Sequence, residues 1–238
     1  MNIRLTIEFD GAAYAGWQFQ PNRPTVQGEI EAAAGKVDGG PVTVYGCSRT
    51  DAGVSARNYV ANFHTHSPLN PERWRLALND HLPKDIHIKA AEVVPENFHA
   101  RHSALGKTYV YRMVRGISPL RRGRAWERRF PVDAEKMRRA AKLFVGTKDF
   151  RHFCQVEDAD GKCAVLAVTV AEHEDEITVT VQGDRFLYKM VRRIVGAMVT
   201  YGMGRISLAD LRAAMAGKPH GFFQTAPAPG LLLHSVKY

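Results

Sequence analysis

Cysteine is scarce in this 238-residue sequence. Cys47, Cys154 and Cys163 are its three, none forms a C-x-x-C pair, and they lie too far apart for a disulfide framework. That excludes a stapled secreted scaffold and points to a reducing compartment. Structural zinc is disfavoured too, because Cys154 and Cys163 sit in a polar stretch without paired ligand spacing. Long apolar runs are missing as well. The longest apolar segment, Phe186 to Tyr201, is interrupted by Lys189, Arg192 and Arg193 and is too short for a hydrocarbon core of roughly 30 Å. Glu8 and Asp10 stand where a signal peptide would carry its apolar stretch. Neither an internal repeat nor the carboxylate cluster of a metal-dependent nuclease is visible. The expectation is a soluble cytoplasmic chain with no membrane partner and no metal.

What the sequence does have is an ordinary globular balance, 45% apolar and 24% charged, and enough length to bury a sizeable core as one large domain or two small ones. Lys and Arg number 33 against 24 Asp and Glu, a net charge of +9. The excess is local. From Arg101 to Lys142 there are thirteen basic and three acidic residues, which leaves 20 basic and 21 acidic elsewhere. Its densest part is Arg121-Arg122-Gly123-Arg124-Ala125-Trp126-Glu127-Arg128-Arg129. Guanidinium planes interleaved with Trp126 suit phosphate pairing and stacking, so the stretch has the footprint of a nucleic-acid contact, although a solvated basic face has the same composition.

Alternation of apolar and polar residues predicts strands at Asn2–Phe9, 42–47, 58–64, 85–94 and 108–114. Helices are expected after Thr25, over 71–79, after Asp133 with Met137, Ala140, Ala141 and Phe144 on one side, over 186–199, and over 207–215. Residues 164–171 and 177–182 read as a hairpin about the acidic turn Glu172–Glu176, and 230–236 as a closing strand. Hairpins mixed with helices, without a long βαβ series, indicate an α+β fold with helices on an antiparallel sheet. The basic stretch divides the chain into similar halves, 1–100 and 101–238.

One segment stands out. In Arg49-Thr50-Asp51-Ala52-Gly53-Val54, Asp-Ala-Gly alone reads as a turn. With Arg49 two positions earlier, the carboxylate of Asp51 has a cation to keep it ionised and available as a nucleophile. This segment resembles the signature of the tRNA pseudouridine synthase A family. Four further blocks agree with that family and follow its order: Gly16-Trp17-Gln18 with Gln20-Pro21 and Thr25-Val26-Gln27; Phe98-His99-Ala100-Arg101 with Lys107-Thr108-Tyr109-Val110-Tyr111; Met190-Val191-Arg192-Arg193-Ile194-Val195-Gly196; and Ala226-Pro227-Ala228-Pro229-Gly230-Leu231. Two positions depart from the usual pattern. Ser48 stands where Gly commonly precedes the Arg, and Ser55 where His commonly follows Gly-Val. Both bear on loop geometry more than on reaction class.

The resemblance implies the pseudouridine synthase fold, with two halves around a basic cleft, and isomerisation of uridine in tRNA without a cofactor. It maps the catalytic aspartate to Asp51 and an active-site tyrosine to Tyr109, which by pattern alone is a core residue alternating with Tyr111. It maps a basic partner of the aspartate to Arg192 and an apolar wall of the uracil pocket to Leu231. Arg49 is expected to hold the phosphate backbone or help displace the base. The family also implies a homodimer working at positions 38 to 40 of the anticodon arm, for which Arg121, Arg122, Arg124, Arg128 and Arg129 are the candidate grip. A non-catalytic protein binding structured RNA on the same scaffold explains the charge equally well, but not the match around Asp51. A base-releasing glycosidase normally sets two carboxylates about one bond, and no second acid lies between Gly39 and Leu69 apart from Asp51 itself.

Overall fold

The computed structural model describes residues 1–155 and 160–238 and falls into two compact units, Met1–Leu105 with Leu232–Tyr238, and Gly106–Leu231. The division at residue 100 therefore shifts by five residues, and the C-terminal strand returns to the first unit rather than staying with the second half.

In the first unit, β1 (Asn2–Phe9) lies between β3 (Ser55–His64) and β4 (Ile86–Val94), antiparallel to both. Ile3, Leu5, Ile7 and Phe9 are buried on one side of β1, as its alternation predicts. Strand β10 (Leu231–Lys237) runs parallel to β3, and β2 (Tyr45–Gly46) pairs with β3 antiparallel. Helix α1 (Val26–Asp38) starts where Thr25 accepts the Gly28 N–H, and α2 (Pro71–His81) where Asn70 accepts that of Arg73. Trp74 of α2 meets Phe63 of β3 edge-on at 4.9 Å. The strand expected over 42–47 shrinks to two residues for a definite reason. Side chains of α1 take the Val44 backbone instead of a ladder: Glu31 Oε1 accepts its N–H at 3.0 Å, and Gln27 Nε2 donates to its carbonyl at 3.1 Å.

In the second unit, β5 (Gly106–Arg115), β9 (Glu176–Gly183), β8 (Lys162–His173) and β7 (Gly146–Asp149) form an antiparallel sheet in that order, with β6 (Trp126–Arg128) parallel to β5. Helix α3 (Ala134–Ala141), capped by Asp133, packs against β8 and against α4 (Met190–Gly202). A Ser207–Asp210 capping box begins α5 (Leu208–Met215). The helix expected from Phe186 begins four residues later. Lys189 sits at φ 60° and breaks the helical path, and Phe186 turns instead to meet Tyr109 edge-on at 5.2 Å. The architecture is α+β, mostly antiparallel, with five α-helices among the described residues. No helix among the described residues is long and apolar enough to cross a membrane.

Candidate active site

Asp51 lies on the loop between β2 and β3, half-buried, in a turn closed by the Val54 N–H donating to the Asp51 carbonyl at 3.1 Å, with Gly53 at φ 79°. The segment before α1 clamps this turn. Trp17 N–H donates to Thr50 O at 3.2 Å and Gly53 N–H to Tyr14 O at 3.3 Å. Gly16, between those anchors, has φ 107°, and a β-carbon there would lie 2.5 Å from Thr50 O. The clamp is itself tied to the helix start, since Val26 and Gln27 donate to the carbonyls of Gly16 and Trp17. Beneath the loop, the Tyr59 and Trp17 rings stack at 4.0 Å, and the Tyr59 hydroxyl donates to Ser48 O. Two sequence blocks that are separated along the chain are thus one hydrogen-bonded body.

Both departures from the family pattern are accommodated. Ser48 is not among the residues at positive φ, so its β-carbon causes no backbone strain. Ser55 Oγ accepts the Gly11 N–H at 3.0 Å and lies 3.4 Å from Asp10 Oδ1, joining the loop exit to the end of β1. Arg49 is exposed; its carbonyl accepts the Ser48 hydroxyl at 3.3 Å, while its guanidinium has no hydrogen bond or ion pair among the described residues and is open to an external anion.

The other mapped residues belong to the second unit. There Arg192, in the first turn of α4, donates from Nε to Ala226 O at 2.8 Å, and the Ala226 N–H donates back to Arg192 O at 3.0 Å. The Tyr111 hydroxyl donates to Pro227 O at 2.8 Å, and burial holds that phenol well above its ordinary value. The Met190–Gly196 and Ala226–Leu231 blocks are therefore also bonded to each other, and they set the backbone that ends at the buried Leu231. Tyr109 is buried on β5, on the same face as Tyr111 and against Phe186.

The basic stretch is less uniform than its composition. Arg121 is paired with Asp175 at 2.6 Å and with Glu176 at 3.7 Å, so the acidic turn is an ion-pair partner of the basic stretch. Arg115 and Arg138 pair with Glu172. Arg128 is half-buried over the Trp126 ring at 4.7 Å, with Nη2 2.8 Å from Met203 Sδ, and burial pulls its value below the usual arginine range. Arg122, Arg124 and Arg129 are exposed, and Arg122 and Arg129 make no ion pair among the described residues.

Beside the Asp51 loop, the first unit holds a cleft of about 230 Å³. Trp17, Tyr45, Ser48, Arg49, His99 and Arg101 are among its lining residues, as are Gln18 and His102. The sequence reading assigns no role to Tyr45 or His102; the one signal was that His99 and Arg101 belong to a matched block. Among the described residues, no three His, Cys, Asp or Glu side chains gather as a metal site.

A family model described as tRNA pseudouridine synthase matches residues 5–103 and 140–238. Asp51, Arg192 and Leu231 fall inside the matched segments, whereas Tyr109 and Arg121–Arg129 fall between them. A tRNA pseudouridine synthase A from Brevibacillus brevis is 40% identical over 241 residues, covering 99% of this chain and 99% of that protein. Another from Syntrophotalea carbinolica is 42% identical over 247 residues, covering 99% and 96%. A protein named tRNA pseudouridine synthase A 2 from Clostridium perfringens is 43% identical over 243 residues, covering 100% and 99%. Likeness of this extent, over the clamped Asp51 loop and nearly every other residue, shows that the chain belongs to the tRNA pseudouridine synthase family of isomerases.

Proposed function

We propose that this chain isomerises uridine to pseudouridine in the anticodon stem-loop of tRNA, at positions 38 to 40, as a cytoplasmic homodimer, with Asp51 as the nucleophile. The observation that carries the reading is the construction of the Arg49–Val54 loop. A single aspartate is fixed in a turn by hydrogen bonds to an independent segment, with an open guanidinium two residues before it. In the reaction the N1–C1′ bond breaks, the uracil turns over, and C5 bonds to C1′. The proton lost from C5 is balanced by one gained at N1, so no electrons leave or enter and the chemistry calls for no cofactor.

Each side chain has a corresponding task. Asp51 attacks the substrate once the uridine has left its stack, a step that costs a few kcal/mol. Arg49 takes a backbone phosphate and draws the strand outward. Tyr109 gives the uracil an aromatic face and, through its hydroxyl, a route for a proton. Arg192 serves as the basic partner of the aspartate. Leu231 supplies an apolar wall. The Arg121–Arg129 stretch grips the tRNA through phosphates, reading shape rather than base edges.

Unmodified tRNA carrying tritium at C5 of uridine tests this directly. Wild-type protein is expected to release tritium to water with no free uracil. The Asp51→Asn variant is expected to fall by more than the roughly 10²–10⁴-fold that loss of a general acid or base costs, while still binding tRNA. Binding without release by the wild type would instead support an RNA-binding scaffold, and release of free uracil a glycosidase.

A further inference from the structure

The cleft beside the Asp51 loop has the chemistry of a nucleotide subsite, and neither the catalytic roles nor the basic stretch accounts for it. Its volume of about 230 Å³ is below the roughly 300–1,000 Å³ of sites that enclose a whole small ligand, and suits one unit of a longer chain. Arg49, Arg101 and His102 bring positive or protonatable heads to it, and no carboxylate among the described residues lines it. Glu31, one turn along α1 from the lining residue Gln27, directs its Oε1 to Gln27 Nε2 and the Val44 N–H. Tyr45 is 41% exposed, and its ring lies 5.2 Å from that of His99, which in turn lies 4.4 Å from His102. His99 is held below its ordinary value by burial and by the neighbouring His102 and Arg101, and its Nδ1 accepts the Arg101 N–H at 3.1 Å. It contributes a ring rather than a charge.

This wall is built in advance. Two buried amides hold the segment that carries it. Asn2 Nδ2 donates to Phe98 O at 2.9 Å and to Pro95 O at 3.0 Å, and Asn62 Oδ1 accepts the Ala100 N–H at 2.8 Å. Asn62 Nδ2 also donates to Asn2 Oδ1, and the Tyr238 hydroxyl donates to Ala100 O at 2.6 Å. A surface loop placed only for solubility needs no such anchoring; a binding wall gains affinity from it, because less freedom is lost on binding.

We propose that this cleft seats the nucleotide immediately next to the reacting uridine, with its phosphate against Arg101 and His102 and its base stacked on Tyr45. This rests on the reading that Asp51 acts on a uridine in RNA. Arg49 links the two sites, being both a lining residue of the cleft and two positions from Asp51.

The test uses full-length Asp51→Asn protein and an anticodon-arm hairpin, with affinity read by fluorescence anisotropy. Tyr45→Ala is expected to weaken binding about five- to hundredfold, and Tyr45→Phe about twofold at most. The tyrosine is then paired with hairpins lacking the base on the 5′ or the 3′ side of the target uridine. On one of these hairpins the Tyr45→Ala loss should disappear, because the stacking partner is already gone. Arg101→Ala should make the dependence of log affinity on log salt shallower by about 0.7–0.9. A Tyr45→Ala loss that persists on both abasic hairpins, or no loss in any variant, would overturn the subsite. Turnover by Asp51→Asn would overturn the catalytic reading instead, and leave the binding cycle to be judged on its own.

Discussion

The Arg49–Val54 loop and the Arg121–Arg129 stretch are both short, polar and arginine-bearing, yet they are built in opposite ways. The first has few charges, and its backbone is fixed by hydrogen bonds to the segment before α1 and by the stacked Trp17 and Tyr59 rings beneath it. The second has many charges, but some are engaged within the molecule. Arg121 is held by Asp175 and Glu176, and Arg128 lies half-buried over Trp126. Density of charge therefore measures neither openness nor precision. Position is set by what the backbone is bonded to, and availability by which cations lack a carboxylate.

The sharpest way to break the comparison is through position. In Gly16→Ala the new β-carbon meets Thr50 O at 2.5 Å on a backbone with φ 107°, so the loop carrying Asp51 has to move. Turnover is expected to fall about a hundredfold, the scale of an ångström of misplacement, with tRNA affinity nearly intact. Single-turnover tritium release measured beside equilibrium binding separates the two. An equal loss in both would show that the loop serves grip as much as chemistry.

Availability gives the next largest effect. Replacing Arg122 and Arg129 together by Ala should make the salt dependence of tRNA binding shallower by about 1.4–1.8, with several-fold weaker binding and an unchanged rate on saturated enzyme. Arg121→Ala should leave the slope nearly as it was, because its carboxylates already balance it. Asp175→Asn should steepen the slope by releasing Arg121 toward phosphate. Equal slopes for the Arg121 and the Arg122–Arg129 variants would mean that the internal pairs open when tRNA binds.

The same contrast explains what could be read in the sequence. Regular elements were legible where alternation or capping decides them, as in β1, in α1 behind Thr25 and in α3 behind Asp133. The strand over 42–47 was not, because Glu31 and Gln27 take the Val44 backbone from a neighbouring helix, and no local pattern announces that. The start of α4 was misplaced because a positive φ at Lys189 outweighs the helical spacing of Phe186 and Leu187. At the site, Asp51 was legible as a motif, but its clamp depends on carbonyls, which carry no residue code. The cleft of Tyr45, His99, Arg101 and His102 was illegible for the same kind of reason. Residues fifty positions apart are brought together by two buried asparagines, and isolated asparagines at strand positions give no signal of that.

A second aspartate sharpens the comparison by the smallest effect. Asp133 ends the segment that follows the basic stretch. Its carboxylate accepts the Lys136 N–H at 3.0 Å to begin α3, and its own N–H donates to Gly202 O at 3.1 Å. Where Asp51 sits in a turn that no helix follows, Asp133 acts by capping one. That bond, above all, holds its carboxyl below the ordinary value of 3.8. A carboxyl lowered in the folded state stabilises it fully above that ordinary value, and the contribution fades as pH falls through the folded one. Asp133→Ala is therefore expected to lower stability at neutral pH by about 1 kcal/mol, with turnover and salt slope unchanged. In thermal unfolding the gap between wild type and variant should close as the solution is acidified below 3.8. A gap that did not narrow at all on acidification would assign the start of α3 to the burial of Ala134 and Met137 rather than to the charge before them.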